Sequence, residues 1–179
     1  MGGIASSIEI RTATPADTEA LLGVEREAFG GSSEAELVVG LMSSTAFIPE
    51  LSLVADNDGL IVGHVLFTRA YAGGVPAVLL APLAVASAYQ RCGIGGELVR
   101  AGLGTALSGG FQLSLVLGHP EYYSRFGYEP AEPYGILPPY PVTPSEAWMV
   151  LEMGMGARER AAGTVQVADE FMLPEMWRT

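Results

Sequence analysis

A glycine-bearing turn near the middle of the chain carries residue types that are suited to phosphate binding. An apolar segment, Leu83–Ala86, leads into a turn that contains Gly93, Gly95 and Gly96, and a helical pattern follows it. Glycines let a ligand approach the backbone closely, and the first N–H groups of a helix have no partner within that helix. The helix dipole and the fixed charge of Arg91 favour a negative ligand at the same place. The segment therefore predicts an anion site that suits phosphate.

Other interpretations of this turn fit the residues less well. A G-x-G-x-x-G dinucleotide site would need a glycine where Leu98 stands, and no acidic residue ends a strand about 20 residues further on. A P-loop needs a lysine, and the chain has none. A purely structural turn stays an alternative, although one glycine at the start of the helix would be enough for it.

The composition limits the kinds of function that the chain can have. Its 179 residues, of which 49% are apolar, predict one domain that spans residues 1–179. A net charge of −11 disfavours nucleic-acid binding, because neutralisation of phosphate provides most of that affinity. The nine basic residues are all arginine, which excludes Schiff-base lysine and pyridoxal-phosphate chemistry. No metal site is expected from one cysteine, Cys92, and two histidines, His64 and His119.

The sequence contains no clear membrane or secretion signal. Its longest apolar run, Val75–Ala86, is about half as long as a membrane-spanning helix needs to be. The first residues, MGGIASS, lack the basic and apolar regions of a secretory signal, although Met1–Ser6 fits the loose N-myristoylation pattern. We therefore expect a cytoplasmic protein that does not bind membranes.

Hydrophobic periodicity and turn residues predict a mixed α/β domain. A strand, a helix and a second strand follow one another between residues 75 and 117, which implies a parallel pair with a right-handed connection. Pro82 predicts an irregularity in the first of these strands. Leu98, Val99, Leu103 and Leu107 are expected to form the buried stripe of the intervening helix. Strands are predicted at residues 8–14, 51–55, 60–70, 75–85, 111–117, 148–152 and 164–167, with one more in the proline-rich stretch 129–144; helices are predicted at residues 14–29, 33–42, 96–108 and 120–126.

Two motifs, in register with these elements, carry a family resemblance. Gln90–Gly95, QRCGIG, matches the pattern Q/R-x-x-G-x-G/A, and Tyr122–Tyr128, YYSRFGY, matches a later Y-x-x-x-G-F/Y pattern. Both are motifs of the GNAT superfamily of acyl-CoA-dependent N-acetyltransferases, and Leu83–Val85 resembles the end of that family's fourth strand. Gly63-His64 in the third strand and a Gly-Thr-Val segment near the C-terminus are similar to a poorly characterised bacterial subgroup.

The resemblance covers residues 8–153 and leaves residues 154–179 as a C-terminal extension. It implies an α/β fold with a mixed sheet of about six to seven strands, splayed between the fourth and fifth, and about four flanking helices. It also implies that acetyl-CoA is the co-substrate, with its diphosphate on the backbone N–H groups of the turn and its pantetheine in the splay. The residues expected to contact coenzyme A are Leu83, Ala84, Val85, Gln90, Arg91, Cys92, Gly93, Ile94, Gly95 and Gly96.

The resemblance also indicates which groups stabilise the leaving thiolate and the oxyanion. Tyr123, four residues before Gly127, matches the tyrosine that acts as general acid in many members, and Tyr122 is its neighbour in reserve. Packing within a short helix is the alternative role for Tyr123. The backbone N–H of Val85 is the expected oxyanion donor.

The general base is less well defined by the sequence. Many members carry a glutamate on the fourth strand, but Val78–Ala81 reads VLLA here. We therefore expect a base elsewhere. Glu27 is the first candidate and Glu34 and Glu36 are alternatives, and whichever of the three serves is expected to act through water. A solvated helix face is the other explanation for these three acids. His119, just after the fifth strand, has a pKa range that suits a base, and a hydrogen bond to a turn is its alternative role.

These residues predict an N-acetyltransferase that moves an acetyl group from acetyl-CoA to a primary amine by direct attack. Transfer through Cys92 is disfavoured, because Cys92 lies in the expected phosphate site with no base beside it. The acidic chain favours a cationic acceptor, either a small molecule or a peptide N-terminus. A non-catalytic acyl-CoA-binding module is the alternative, and a homodimer is an expectation from the family. His64, Trp148 and Trp177 are expected to be core residues.

Overall fold

A seven-stranded mixed β-sheet forms the centre of the structure. The structure is a computed structural model that describes residues 7–179. The N-terminal segment with the myristoylation pattern lies outside the described residues. The strands are ordered β1-β2-β3-β4-β5-β8-β6, and β7 pairs with β9 apart from this sheet. Their bounds are β1 Ile8–Thr12, β2 Ser52–Asn57, β3 Leu60–Ala72, β4 Val75–Val85, β5 Leu113–Leu117, β6 Glu129–Pro130, β7 Ile136–Leu137, β8 Trp148–Glu152 and β9 Gly163–Thr164.

Helices cover both faces of the sheet, so the protein has two apolar cores. The helices are α1 Thr18–Phe29, α2 Ser33–Met42, α3 Ile94–Ser108 and the short α4 Pro120–Tyr123. Apolar side chains of α1 and α2 pack with Leu66 and Leu79 on one face. Those of α3 pack with Val65 and Phe67 on the other face. None of the helices within residues 7–179 is long and apolar enough to cross a membrane.

The sheet opens between β4 and β5, as the family resemblance implies. The two strands are parallel, and their pairing joins Ala77–Leu79 with Leu113–Leu115. Beyond Leu79, β4 continues along β3 alone, while β5 continues along β8 as far as the pair of Leu117 and Trp148. The register of β3 and β4 shifts between Val65 and Phe67, opposite the segment that contains Pro82. This shift confirms the predicted irregularity, because proline cannot donate to a strand ladder.

Some of the predicted elements differ from the structure. The stretch 129–144 contains two short strands, β6 and β7, where one was expected. The predicted strand at residues 164–167 is reduced to β9, and Gln166 forms an isolated bridge with Tyr71. Both regions have short pairings to distant parts of the chain, which local periodicity does not report.

The buried stripe of α3 was also predicted incorrectly in its second half. Leu98 and Val99 are buried as expected, but the stripe continues through Gly102 and Ala106, and Leu107 is 55% exposed. The reason is close packing: a Cβ atom built on Gly102 would overlap the ring of Phe67 from β3. The helix therefore approaches the sheet along its smallest residues. Leu103 is half-buried against the core, and Leu107 points to solvent.

Two substitutions in α3 are expected to change stability in opposite directions. Gly102→Ala should lower the free energy of unfolding by about 1–3 kcal/mol, because the new methyl group must displace the Phe67 ring. Gly104→Ala meets no atom within 4 Å and should raise the free energy of unfolding by about 0.5–1 kcal/mol through helix propensity. Urea denaturation of both variants measures this difference. Equal effects of the two substitutions would show that the contact with Phe67 is not tight.

Candidate functional site

The turn between β4 and α3 presents a row of backbone N–H groups to one point. Arg91 and Gly93 both have left-handed backbones, with φ of 59° and 86°. The first hydrogen bond into the helix runs from Glu97 N to Gly93 O at 3.1 Å, and in the described part of the chain residues 91–96 donate no backbone hydrogen bond. Alternating right- and left-handed residues at a helix start form a concave anion site.

A cavity of about 530 Å³ lies in front of these N–H groups and has cationic walls. Arg100, in the second turn of α3, and Arg125, after α4, add two positive charges to that of Arg91. The guanidinium of Arg100 lies 5.1 Å from the ring centre of Phe126, and that of Arg125 lies 4.5 Å from the ring centre of Tyr122. The cavity is lined by Val85, Tyr89, Gln90, Arg91, Gly93, Ile94, Gly95, Gly96, Arg100, Tyr122, Arg125 and Phe126.

Most of the residues predicted to contact coenzyme A line this cavity, and three do not. Leu83 lines the larger cavity described below, Ala84 is buried in the core, and the exposed Cys92 directs its thiol to Gln90 O at 3.4 Å. The Gln90 side chain donates to Val85 O at 3.0 Å and so joins the turn to the end of β4.

The sequence analysis missed Arg100 and Arg125. Arg100 stands four residues after Gly96, on the same side of α3, and this spacing is the signal that could have identified it. Arg125 is distant in the sequence from the glycine-bearing turn. Its position within the second motif was the only signal that could have identified it.

A second cavity, of about 770 Å³, lies where β4 and β5 separate. Residues 79–83 of β4 and residues 117–120 after β5 form two of its walls. Most of its surface is apolar, and its polar side chains are Glu34, His119, Tyr123, Thr143, Arg178 and Thr179. The splay therefore has an anion site near one end and an apolar chamber with a few polar groups near the other.

Tyr123 and Tyr122 face different cavities, which separates the two tyrosines that the sequence left as alternatives. Tyr123 lines the larger cavity and is 9% exposed, while Tyr122 lines the cationic cavity. The hydroxyl of Tyr123 makes no hydrogen bond within residues 7–179, and burial raises the pKa of Tyr123 well above its usual value. A Cβ atom on Gly118 would overlap the Tyr123 ring, so glycine is needed there for this placement. Tyr123 therefore holds its proton firmly at neutral pH.

The structure separates the three helical acids that were candidates for the base. Glu27, the first choice, lines neither cavity: its carboxylate accepts a hydrogen bond of 2.9 Å from Ser87 N. Glu36 is exposed and accepts a hydrogen bond from the Ser32 hydroxyl. Glu34 is the acid that lines the larger cavity, together with His119. Glu27 lies on α1, and Glu34 and Glu36 lie on α2. The phases of these helices relative to the sheet, which the sequence alone does not set, explain the difference.

A Ser-His-Glu arrangement also occurs in the protein, but it is closed to substrate. His64 Nε2 lies 3.1 Å from the Ser52 hydroxyl, and its Nδ1 lies 2.6 Å from a carboxylate oxygen of Glu25. His64 and Glu25 are fully buried and Ser52 is 4% exposed, and burial raises the pKa of Glu25. The group joins α1 to β2 and β3, which confirms His64 as a hydrogen-bonded core residue.

The C-terminal segment forms a wall of the larger cavity that the sequence analysis did not foresee. Phe171, Met176, Trp177, Arg178 and Thr179 all line it. Trp177 is buried, with its ring centre 5.4 Å from that of Trp148 and its indole N–H donating to Phe171 O at 2.8 Å. The two tryptophans are core residues, as expected, and they also hold this wall in place.

A sheet that splays beside a glycine-bearing helix start, with a cavity in the opening, is the arrangement that the resemblance to acyl-CoA-dependent transferases implies. Comparisons with known proteins agree with this class. The sequence profile of the acetyltransferase (GNAT) domain matches residues 49–130. The uncharacterized N-acetyltransferase YjhQ of Escherichia coli strain K12 is 44% identical over 142 residues, which cover 75% of this chain and 78% of YjhQ. The chain belongs to the GNAT superfamily of acetyltransferases.

Solved structures of relatives extend this result to the ligand. The GNAT family N-acetyltransferase YhbS from Escherichia coli, crystallised in complex with CoA, has a TM-score of 0.87 and 30% identity, and the match covers 96% of this chain and 95% of YhbS. A GNAT family acetyltransferase from Brucella melitensis, in complex with acetyl-CoA, has a TM-score of 0.76 and 29% identity over 93% of this chain and 99% of that protein. These complexes support binding of coenzyme A by this protein.

Proposed function

We propose that the protein transfers an acetyl group from acetyl-CoA to a primary amine by direct attack. The observation that carries this proposal is the position of the two cavities at the splay of β4 and β5. The cationic cavity suits the diphosphate of the donor. The larger cavity gives an amine access to a thioester held between the strands. No covalent intermediate on the enzyme is needed, because donor and acceptor meet in one place.

The backbone of β4 supports this placement of the donor. Ala86, just after β4, donates a backbone hydrogen bond of 2.8 Å to Val62 O of β3. Since successive residues of a strand direct their N–H groups to opposite edges, the N–H groups of Leu83 and Val85 point away from β3 and into the splay. They are suited to bind pantetheine amides, and the Val85 N–H can stabilise the developing oxyanion.

Proton transfer is assigned to the polar side chains of the larger cavity. The amine nitrogen forms a bond to the thioester carbon, and the C–S bond breaks. Tyr123 donates a proton to the departing thiolate. Because burial raises the pKa of Tyr123, its hydroxyl carries this proton at neutral pH. Glu34 and His119 are the groups that take the proton from the amine, directly or through water.

The test is release of CoA thiol from acetyl-CoA in the presence of a panel of primary amines. We expect turnover with at least one amine and a rate near background with acetyl-CoA alone. Isothermal calorimetry with acetyl-CoA, on the same preparation, reports binding independently of turnover. Binding without turnover on every amine would overturn the proposal in favour of a non-catalytic acyl-CoA-binding module.

A further inference from the structure

The larger cavity contains two side chains of opposite full charge that do not neutralise each other. Glu34 comes from α2 and is partly buried, Arg178 comes from the C-terminal segment and is exposed, and both line the cavity. Within residues 7–179 neither side chain makes a hydrogen bond, and no ion pair within 4 Å joins them to each other or to a third residue. Both charges are therefore available to a ligand.

The rest of the wall is mainly apolar and has little to offer a charged ligand. Apart from the polar side chains named above, the cavity is lined by one glycine and by apolar residues, mainly of the helices, β4, β5 and the C-terminal segment. Charges interact more strongly beside apolar walls than in bulk water. The positions of Glu34 and Arg178 therefore carry most of the electrostatic preference of the cavity.

These features disfavour the cationic acceptor that the overall charge of −11 suggests. A polycation would meet one acid in the cavity and would be repelled by Arg178. A simple alkylamine would make no use of the positive charge of Arg178. A ligand that carries an ammonium group, a carboxylate and an apolar body would match both charges and the walls.

We propose that the acceptor is an amino-carboxylate with an apolar side chain, such as an apolar α-amino acid. Arg178 binds its carboxylate, because a guanidinium can donate two parallel hydrogen bonds to one. The amine then lies on the side of Glu34, His119 and Tyr123. This inference rests on the proposed function and specifies its substrate class, and the product is the N-acetylated amino-carboxylate together with CoA.

A matched series of acceptors tests the carboxylate. L-Leucine, L-leucinamide and isopentylamine share the apolar body and differ in the carboxylate, and release of CoA thiol gives kcat/KM for each. We expect kcat/KM for leucine to exceed that for each of the other two by about tenfold or more. Equal or higher values for leucinamide or isopentylamine would overturn the assignment.

Two arginine variants test the position of the binding group. Arg178→Gln should remove the preference for leucine over leucinamide and raise KM for leucine about tenfold, with a smaller change in kcat. Arg26→Gln removes the same charge from an exposed site of α1 that lines neither cavity, and it should keep the preference. A preference that persists in Arg178→Gln would place the carboxylate elsewhere and overturn the role of Arg178.

Binding measurements distinguish failure of this inference from failure of the proposed function. Calorimetric titration of the CoA-loaded protein with N-acetyl-L-leucine and with its amide measures carboxylate preference without turnover. Binding of the carboxylate form alone, lost in Arg178→Gln, would support the inference even if no amine were acetylated, whereas the proposed function would then fail. No preference in this titration, with acetylation of other amines intact, would overturn the inference alone.

Discussion

Replacement of Tyr123 by phenylalanine is expected to lower kcat by about 10²–10⁴-fold, the usual contribution of a general acid. The change removes only the hydroxyl of a tyrosine that lines the larger cavity, and this hydroxyl makes no hydrogen bond to any of residues 7–179. The free energy of unfolding and the affinity for acetyl-CoA should therefore stay close to those of the parent protein. Steady-state thiol release, with calorimetry on the same sample, measures both.

The control for this substitution is Tyr71→Phe, which removes a hydroxyl from a tyrosine that lines neither cavity. It should leave kcat unchanged. Because burial raises the pKa of Tyr123, its hydroxyl should also stay protonated throughout the neutral and mildly alkaline range, and kcat should not fall there through its titration. A Tyr123→Phe variant with parental kcat would remove Tyr123 as the acid.

The second large effect is expected for acetyl-CoA affinity, in the variant Gly96→Asp. Gly96 lies in the first turn of α3 and lines the cationic cavity. A carboxylate there would repel the diphosphate and attract Arg100, whose Nη1 would stand 3.1 Å from the new Cβ atom. We expect Kd for acetyl-CoA to rise about 100-fold relative to Gly96→Asn, which corresponds to about 2.7 kcal/mol.

Gly96→Asn is the matched control, because asparagine has nearly the same shape as aspartate and no charge. A carboxylate in the first turn of a helix also interacts favourably with its dipole, so Gly96→Asp should fold at least as well as the control. Thermal unfolding checks this point, and calorimetry gives both affinities. Equal affinities of the two variants would mean that the diphosphate does not lie at this turn.

The sequence was most informative where local rules decide the structure. It predicted the bounds of α2, β4 and β8 as the structure has them, because apolar periodicity and flanking Gly and Pro mark such ends. It also placed Gly93, Gly95 and Gly96 at the start of a helix, since this geometry depends on a few consecutive residues, and all three line the cationic cavity. The splay after Leu79 came with the family resemblance rather than with any local pattern.

The tertiary structure decided which distant side chains meet in one cavity. Sequence reasoning named Glu27 before Glu34, because the phase of a helix relative to a sheet depends on packing that no short segment reports. Nor did it place Arg100, Arg125 or Arg178 beside a cavity. Local backbone preferences are encoded within a few residues, whereas the contents of a cavity depend on long-range burial of apolar surface. The glycine-bearing helix start could therefore be identified from the sequence, and the composition of the larger cavity only from the fold.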